Sequence, residues 1–247
     1  MKLGGYEWVD GTEHNSHPGH EASFEPVFRE LLGDGVFLDI GAHVGLWTIR
    51  MAGQARKVIS VEANPGTADI LRQNVVLNGF NNVTVIEAAA WDSNARLRLD
   101  DPTDRECAGT NRTLPDRRGV IRGQKLDDLL VGEKEITFLK MDVEGADLHV
   151  LRGLRETLGR CKPTMFVERH DNLGYYREDE LFQTLTDLNY KWRDGPFWEG
   201  IHDGPVGFPH LICTPIEEWR LAYFVAFSRT VDEYRLRGAH RLVVAET

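Results

Sequence analysis

The amino-acid sequence predicts an α/β fold in which helices cover a mostly parallel β-sheet. From about residue 36, short apolar runs alternate with amphipathic stretches, which is typical of strands followed by crossover helices. The chain has 247 residues, enough for one large domain with a small appendage, and its composition is that of an ordinary globular protein. We therefore expect a single α/β domain without internal repeats.

The first half of the predicted sheet comes from three apolar runs. The segment "GVFLDIG" (35–41) is predicted as a strand and "VGLWTIRMAG" (44–53) as the helix after it. A second strand, "KVISVEANP" (57–65), is stopped by its proline, and an amphipathic helix follows over 66–79. The segment "NVTVIEAAAW" (82–91) is predicted as one continuous third strand.

The second half begins after an irregular excursion over 93–123, which is rich in Asp, Arg, Gly and Pro and has room for a short hairpin. A fourth strand is predicted over 135–145, and one amphipathic helix over 146–160. A fifth strand over 163–170 and a helix over 177–190 complete this part.

The ends of the chain are predicted to flank the domain. Residues 1–34 form an N-terminal cap or lid segment that contains the amphipathic helix "SFEPVFRELL". The main domain covers 35–215 and closes with a short strand over 210–215. Residues 216–247 form a helical C-terminal extension.

The composition excludes several classes of function. A net charge of -10 argues against nucleic acid as a partner, because polyphosphate binding needs dense Lys/Arg surfaces. Cys107, Cys161 and Cys213 have no metal-binding spacing, so we expect reduced structural thiols. The polar N-terminus lacks the apolar core of a signal peptide, and no apolar run reaches membrane length. These features predict a cytoplasmic protein without a membrane partner.

The first chemical motif is "FLDIGAHVG". A strand that ends in Asp39 and turns through Gly41 and Gly45 lets backbone amides approach a ligand closely. The dinucleotide pattern G-x-G-x-x-G is met only at Gly41, since His43 and Leu46 occupy its other glycine positions. A carboxylate directly before the turn suits a ligand with an ammonium group. The alternative is a purely structural strand–turn–helix.

The second motif is "VISVEANP". Glu62 ends its strand about twenty residues after the glycine turn, where an acid accepts hydrogen bonds from both hydroxyls of a ribose. This spacing does not separate an adenosyl ligand from a nicotinamide one. The alternative is an exposed acid at a strand end.

The third and fourth motifs are "TFLKMDVEGAD" and "FVERH". Asp142 and Glu144 follow the fourth strand, and Glu168 and His170 end the fifth strand at the same sheet edge. Glu144 is either a functional acid or an acid that starts the next helix and benefits from its dipole. His170 is the most plausible general base, because the ordinary histidine pKa suits proton abstraction near neutrality. Two alternatives to the base are a Mg²⁺ site and a structural hydrogen-bonding cluster, each formed by Asp142, Glu168 and His170.

Taken together, four segments resemble successive motifs of class I S-adenosylmethionine-dependent methyltransferases. These segments are "VFLDIGAHVGLWTIRMA", "VISVEANP", "NVTVIEAAAWD" and "FLKMDVEGADLHVLRG". The Lys-x-Asp-x-Glu-Gly core and the segment "KLDDLL" are similar to the FkbM-type group, and the resemblance covers roughly residues 20–215. It implies a doubly wound, Rossmann-like sheet of seven mostly parallel strands.

The resemblance also implies which residues bind S-adenosylmethionine. Asp39, the Gly41 backbone and Asp142 lie at the methionine, Glu62 at the ribose, and Glu87 and Ala89 at the adenine. The implied reaction is methyl transfer, most plausibly to a hydroxyl of a small molecule or glycan. N-methylation of an amino sugar, nicotinamide-dependent oxidoreduction and a non-catalytic cofactor-binding module are the alternatives.

Two polar segments are further candidates for substrate contact. His14, His17 and His20 lie in a stretch with no standard metal spacing, which favours a flexible lid over the cofactor. Residues 195–210 have the composition of a binding loop for a small-molecule or glycan acceptor, and a homodimer is compatible with the sequence. The loop residues with stacking or polar side chains are Phe197, Trp198, Glu199, His202 and Asp203.

Overall fold

The computed structural model describes residues 2–3, 5–9, 24–100, 112–170, 175–194 and 210–216. The histidine-rich segment with His14, His17 and His20, the loop over 195–209 and the extension over 217–247 lie outside these residues. So does Cys107. Within the described part of the chain, no helix is both long and apolar enough to cross a membrane.

Thirteen strands and seven helices occur in the described residues. The strands are β1 (Lys2–Leu3), β2 (Tyr6–Glu7), β3 (Val36–Ile40), β4 (Lys57–Glu62), β5 (Val83–Glu87), β6 (Ala89–Trp91), β7 (Ala95–Asp100), β8 (Arg112–Pro115), β9 (Ile121–Lys125), β10 (Ile136–Met141), β11 (Thr164–Glu168), β12 (Tyr190–Asp194) and β13 (His210–Pro215). The helices are α1 (Glu25–Leu32), α2 (Leu46–Ala52), α3 (Pro65–Leu77), α4 (Leu126–Leu129), α5 (Asp147–Gly153), α6 (Arg155–Cys161) and α7 (Glu178–Asp187).

The main sheet has seven strands in the order β12-β13-β11-β10-β3-β4-β5. The five strands from β11 to β5 are mutually parallel, and β13 runs antiparallel to both of its neighbours. The predicted α/β fold with seven mostly parallel strands is therefore confirmed. The chain order reverses direction between β3 and β10, so the loops after these two strands diverge and leave a crevice at their carboxyl ends.

The region after the second crossover helix differs from the prediction. The predicted third strand is two strands, because the chain leaves the main sheet at Ala88, whose N–H bonds Glu62 O at 3.0 Å. β6 then joins β9, β7 and β8 in a second sheet, so the excursion over 93–123 contains regular strands. Its apolar residues, such as Leu97 and Ile121, pack on one face only. Because many charged residues lie between these apolar ones, the alternation typical of strands was not recognised in the sequence.

Two other boundaries also differ. The helix predicted over 146–160 is interrupted at Leu154, so that α5 and α6 are separate. The helix predicted over 177–190 ends at Asp187, and Asn189 has a φ of 61° that reverses the chain into strand β12. Strand β12 was not predicted, because its alternation of Tyr190 and Trp192 with charged residues covers only five residues and its first residue was assigned to the preceding helix.

The two faces of the sheet carry different cores. Val36 and Leu38 in β3 pack with the leucines of α5, α6 and α7 on one face, while Phe37 points to the other face. There Phe28 of α1 is fully buried against the rings of Trp47 and Phe166, with centroids 4.2 and 4.7 Å away. The predicted N-terminal helix thus packs directly on the sheet.

The loops after β3 and β10 contact each other at the base of the crevice, where the strand order reverses. Gly41 has a φ of 76°, and a Cβ atom at this position would overlap the backbone carbonyl oxygen of Asp142. The Asp142 N–H bonds Ile40 O at 3.0 Å, which fixes the two strand ends side by side. Only glycine meets both the positive φ and the close approach.

We expect Gly41→Ala to lower the free energy of unfolding by about 2 to 4 kcal/mol, since left-handed strain and backbone overlap add. The matched control is Gly159→Ala in α6, where a Cβ atom would meet nothing within 4 Å. That substitution is expected to be neutral or slightly stabilising. Urea denaturation measures both, and equal stability of the two variants would contradict the proposed packing of Gly41.

Candidate active site

The carboxyl ends of four parallel strands bring acids to one edge of the main sheet. Asp39 lies in β3, Glu62 ends β4, Asp142 follows β10 and Glu168 ends β11. Since these strands are adjacent and in register, the four side chains line one crevice. The structure thus places these four residues at one edge of the sheet, while their chemical roles stay predictions.

The carboxylate of Glu62 links the loop after β3 to the loop after β4. Its Oε2 accepts a hydrogen bond from the His43 N–H at 2.8 Å, and its Oε1 accepts one from the Asn64 N–H at 2.8 Å. Burial raises the pKa of this carboxyl, and the two backbone hydrogen bonds offset part of that rise. Each oxygen keeps a further lone pair for a ligand, so the carboxylate is oriented but not saturated.

Asp39 lies deeper, beneath the glycine turn. Its side chain is buried, and Oδ2 accepts a 2.6 Å hydrogen bond from the Thr48 hydroxyl, which also contacts Ser60 Oγ at 2.7 Å. Burial raises the pKa of Asp39, and the charge of Lys140 opposes this rise. Asp39 Oδ1 is buried without a hydrogen bond to any residue that the structure describes.

Glu87 and Ala89 lie at the far side of the same edge. Glu87 is the register partner of Glu62, but its side chain is exposed and bonds Arg72 Nη2 at 2.9 Å. Ala89 is buried in the second sheet with Trp91. At the position that the resemblance implies for adenine, the structure therefore places the outer carboxylate of Glu87 and the buried Ala89.

Lys140 and Asp142 form an ion pair in the centre of the crevice. Lys140 Nζ lies 2.9 Å from Asp142 Oδ2, and the side chain of the lysine is only 6% exposed. Lys140 is also the register partner of Asp39 across β10 and β3. Burial acts to raise the pKa of Asp142, but Lys140 and then His170 outweigh it, so the net pKa is lowered.

His170 is completely buried among carboxylates. Its Nδ1 lies 3.6 Å from Asp147 Oδ2, and its Nε2 lies 3.4 Å from Glu144 Oε2 and 3.9 Å from Asp142 Oδ1. Burial alone would lower the pKa of this imidazole. The three acids outweigh burial and raise the pKa to about 9. The ordinary pKa that made His170 attractive as a base therefore does not apply, since the ring is protonated at neutral pH.

Glu144 occupies a strained position at the mouth of this cluster. Its φ is 50°, and its side chain is 17% exposed, so it faces both His170 and the crevice. Helix α5 begins three residues later, at Asp147, which is the acid in its first turn. Burial and the charge of Asp142 raise the pKa of Glu144 to about 7. The acid that starts the helix is therefore Asp147, and Glu144 belongs to the cluster.

Glu168 completes the cluster on the β11 side. Its Oε2 lies 3.7 Å from Nε2 of His210, the first residue of β13. Burial and the charge of Asp142 raise the pKa of Glu168. One ligand atom each from Asp142, Glu168 and His170 lie within 4.8 Å of one another. The three residues named as a candidate metal site are thus adjacent.

Three members of this cluster were not among the predicted site residues. They are Lys140, Asp147 and His210. Lys140 precedes Asp142 by two residues on a strand, a spacing that places both side chains on one face. This spacing was a readable signal. Asp147 and His210 reach the cluster only through tertiary packing, and the sequence contains no local signal for them.

The family model described as "Methyltransferase FkbM domain" matches residues 39–192, which is more than half of the chain. The chain belongs to the FkbM methyltransferase family. The matched segment includes Asp39, Glu62, Asp142, Glu168 and His170, whereas His210 lies outside it.

Similar proteins agree with this fold. An uncharacterized protein of Methanocaldococcus jannaschii is 36% identical over 67 residues, which are 27% of this chain and 26% of that protein. A probable ribosomal RNA small subunit methyltransferase A of Methanosphaera stadtmanae is 40% identical over 65 residues, 26% of this chain and 22% of that protein. The matches thus span about a quarter of these relatives. The structure of an rRNA methylase from Streptococcus thermophilus, 13% identical, superposes with a TM-score of 0.50 over 77% of this chain and 92% of that one, which shows a shared fold.

The burial of His170 among acids predicts an unusual titration. We expect its imidazole to titrate near pH 9 in NMR spectra of the folded protein. Because the folded-state pKa lies above the unfolded value, the stabilisation from this proton is full below about pH 6.5 and is lost as the pH rises through about 9.

Asp147→Asn removes the carboxylate that faces Nδ1 and raises the pKa of His170 most, so it should move this titration toward 6.5, while Asp179→Asn on the exposed side of α7 should leave it unchanged. A wild-type pKa at or below 6.5 would contradict the described geometry.

Proposed function

We propose that this protein is an S-adenosylmethionine-dependent methyltransferase that methylates a hydroxyl of a small molecule or glycan. The observation that carries the proposal is the carboxylate of Glu62. Two loop amides hold it at the sheet edge with lone pairs left for the two hydroxyls of a ribose. Membership of the FkbM family supports the reaction type, and the net charge of -10 favours an acceptor other than nucleic acid.

The residues of the crevice fit the cofactor. Glu62 would hold the ribose, and the backbone of the turn at Gly41 would lie along the methionine part. Asp39 Oδ1, a buried carboxylate oxygen without a described partner, suits a donor such as the methionine ammonium. Asp142 would lie at the sulfonium end, and Glu87 and Ala89 at the adenine. When bound, S-adenosylmethionine supplies an electrophilic methyl group.

The chain itself must align the acceptor and remove its proton. Methyl transfer by in-line displacement depends mainly on positioning and on the exclusion of water. An alcohol acceptor also needs a base. Asp142 is a weak base because Lys140 and His170 hold it ionised with a lowered pKa. Glu168 is directed toward His210.

Glu144 is the member of the cluster best placed to accept the proton. It is partly exposed at the mouth, and its Oε2 faces His170 at 3.4 Å. His170, protonated and buried between Asp147 and Asp142, would orient Glu144 and balance its charge. In this proposal His170, Asp142 and Glu168 position and polarise the base, which revises the proton transfer first assigned to His170.

The same residues are the candidate ligands of a divalent ion such as Mg²⁺. Asp142, Glu168 and His170 have donor atoms near enough, but a bound ion requires a neutral imidazole. Lys140 and protonated His170 already face both oxygens of Asp142. We therefore propose proton transfer without a metal.

Cys161 and Cys213 are free thiols, which fits the reducing cytoplasm that we propose as the compartment.

The cofactor assignment predicts tight and selective binding of S-adenosylhomocysteine. Isothermal titration calorimetry should detect it, whereas NAD should not bind. Glu62→Gln should weaken binding by about 10- to 100-fold, because hydrogen bonds to a charged group are lost. Glu156→Gln, an exposed position in α6, is the control and should bind normally. Binding of NAD alone would favour an oxidoreductase and reject the proposal.

The base assignment predicts a distinct pH profile. With Glu144 as base, kcat/KM should rise through a pH of about 7 and fall above about 9, where His170 loses its proton. Glu144→Gln should lower kcat by about 10²- to 10⁴-fold and remove the lower limb. An ascending limb near pH 9 that persists in Glu144→Gln would identify His170 as the base instead. If EDTA abolished the activity and added Mg²⁺ recovered it, the metal site would be favoured instead.

A further inference from the structure

The second sheet places an arginine next to the candidate active site. Its apolar residues Trp91 and Leu97 pack against Ala146, the residue that directly precedes α5. The sheet therefore lies over the turn that carries Glu144. Its last strand in the sheet order, β8, begins at Arg112 on this side of the molecule.

Tyr175 lies between Arg112 and the turn that carries Glu144. A Cβ atom on Gly145 would overlap the ring of Tyr175, so the glycine backbone lies directly against this ring. Tyr176 is fixed as well, because its hydroxyl oxygen accepts a hydrogen bond from the His170 N–H at 3.0 Å. Two consecutive tyrosines thus attach this segment to the turn and to the end of β11.

The guanidinium of Arg112 is held in a defined orientation. Its Cζ atom lies 3.3 Å from the centroid of the Tyr175 ring, a separation that indicates face-to-face stacking. Stacking uses the face of the guanidinium and leaves its N–H edges free to donate. Among the described residues, no carboxylate lies within ion-pair distance of Arg112, unlike Arg98 in β7, which pairs with Asp100 at 3.0 Å.

We propose that Arg112 binds an anionic group of the acceptor, so that the substrate carries a carboxylate or phosphate beside the hydroxyl that is methylated. A half-buried, oriented guanidinium that has no acid partner among the described residues is suited to bidentate recognition of an anionic oxygen group. The acids of the cluster would repel such a group from the proton-transfer position, so the two features together orient the acceptor. This inference rests on the proposed methyltransferase function and narrows its substrate class.

The test measures binding of three simple sugars to protein saturated with S-adenosylhomocysteine. Ligand-observed NMR titrations use D-glucuronate, D-glucose 6-phosphate and D-glucose as carboxylate, phosphate and neutral probes. At least one anionic probe should bind about ten-fold or more tightly than glucose, consistent with charged hydrogen bonds. The preferred anion identifies whether the group is a carboxylate or a phosphate.

Variants then assign the preference to Arg112. Arg112→Gln should abolish the preference for the anion, Arg112→Lys should retain part of it, and Arg122→Gln at an exposed position of β9 should leave it intact. Equal binding of all three probes, binding of none, or an unchanged preference in Arg112→Gln would each overturn the inference while S-adenosylhomocysteine still binds. Failure of S-adenosylhomocysteine to bind the wild type would reject the proposed function itself.

Discussion

The contact between the Gly41 backbone and the Asp142 carbonyl is the constraint on which the candidate site depends. It holds the end of β3 against the end of β10 at the point where the strand order reverses. The loop on one side leads to His43, whose N–H bonds Glu62, and the loop on the other side leads to Glu144. A side chain at Gly41 would separate the proposed cofactor half from the proposed acceptor half.

The second constraint is the balance of charge in this crevice. His170 and Lys140 lie among five acids, and burial makes full ionisation of all of them costly. These acids are Asp39, Asp142, Glu144, Asp147 and Glu168. The cations keep Asp142 ionised. Burial raises the pKa values of Asp147, Glu144 and Glu168, and the charge of Asp142 adds to each rise. The pKa of Glu144 reaches about 7, and Glu144 is the acid that we propose as the base. A pKa near the working pH is what general base catalysis requires.

The sequence revealed the parts of the molecule that depend on local periodicity. The alternation of apolar runs predicted every strand of the main sheet except β12, and the positions of Asp39, Glu62, Asp142 and Glu168 at strand ends predicted their convergence. What it did not reveal depends on tertiary contacts. The break at Leu154 and the departure of the chain at Ala88 follow from packing against other elements. The raised pKa of His170 likewise requires Asp147 and Glu144, which reach the ring only in the folded chain.

The central claim is that the carboxyl edge of the sheet at Gly41 and Glu62 is the cofactor site. Amide hydrogen exchange, measured with and without S-adenosylhomocysteine, tests this most directly. We predict slower exchange in the turn over residues 41–46 and in residues 62–64, and unchanged exchange in α7. Protection confined to other parts of the chain, with both of these segments unaffected, would contradict the claim.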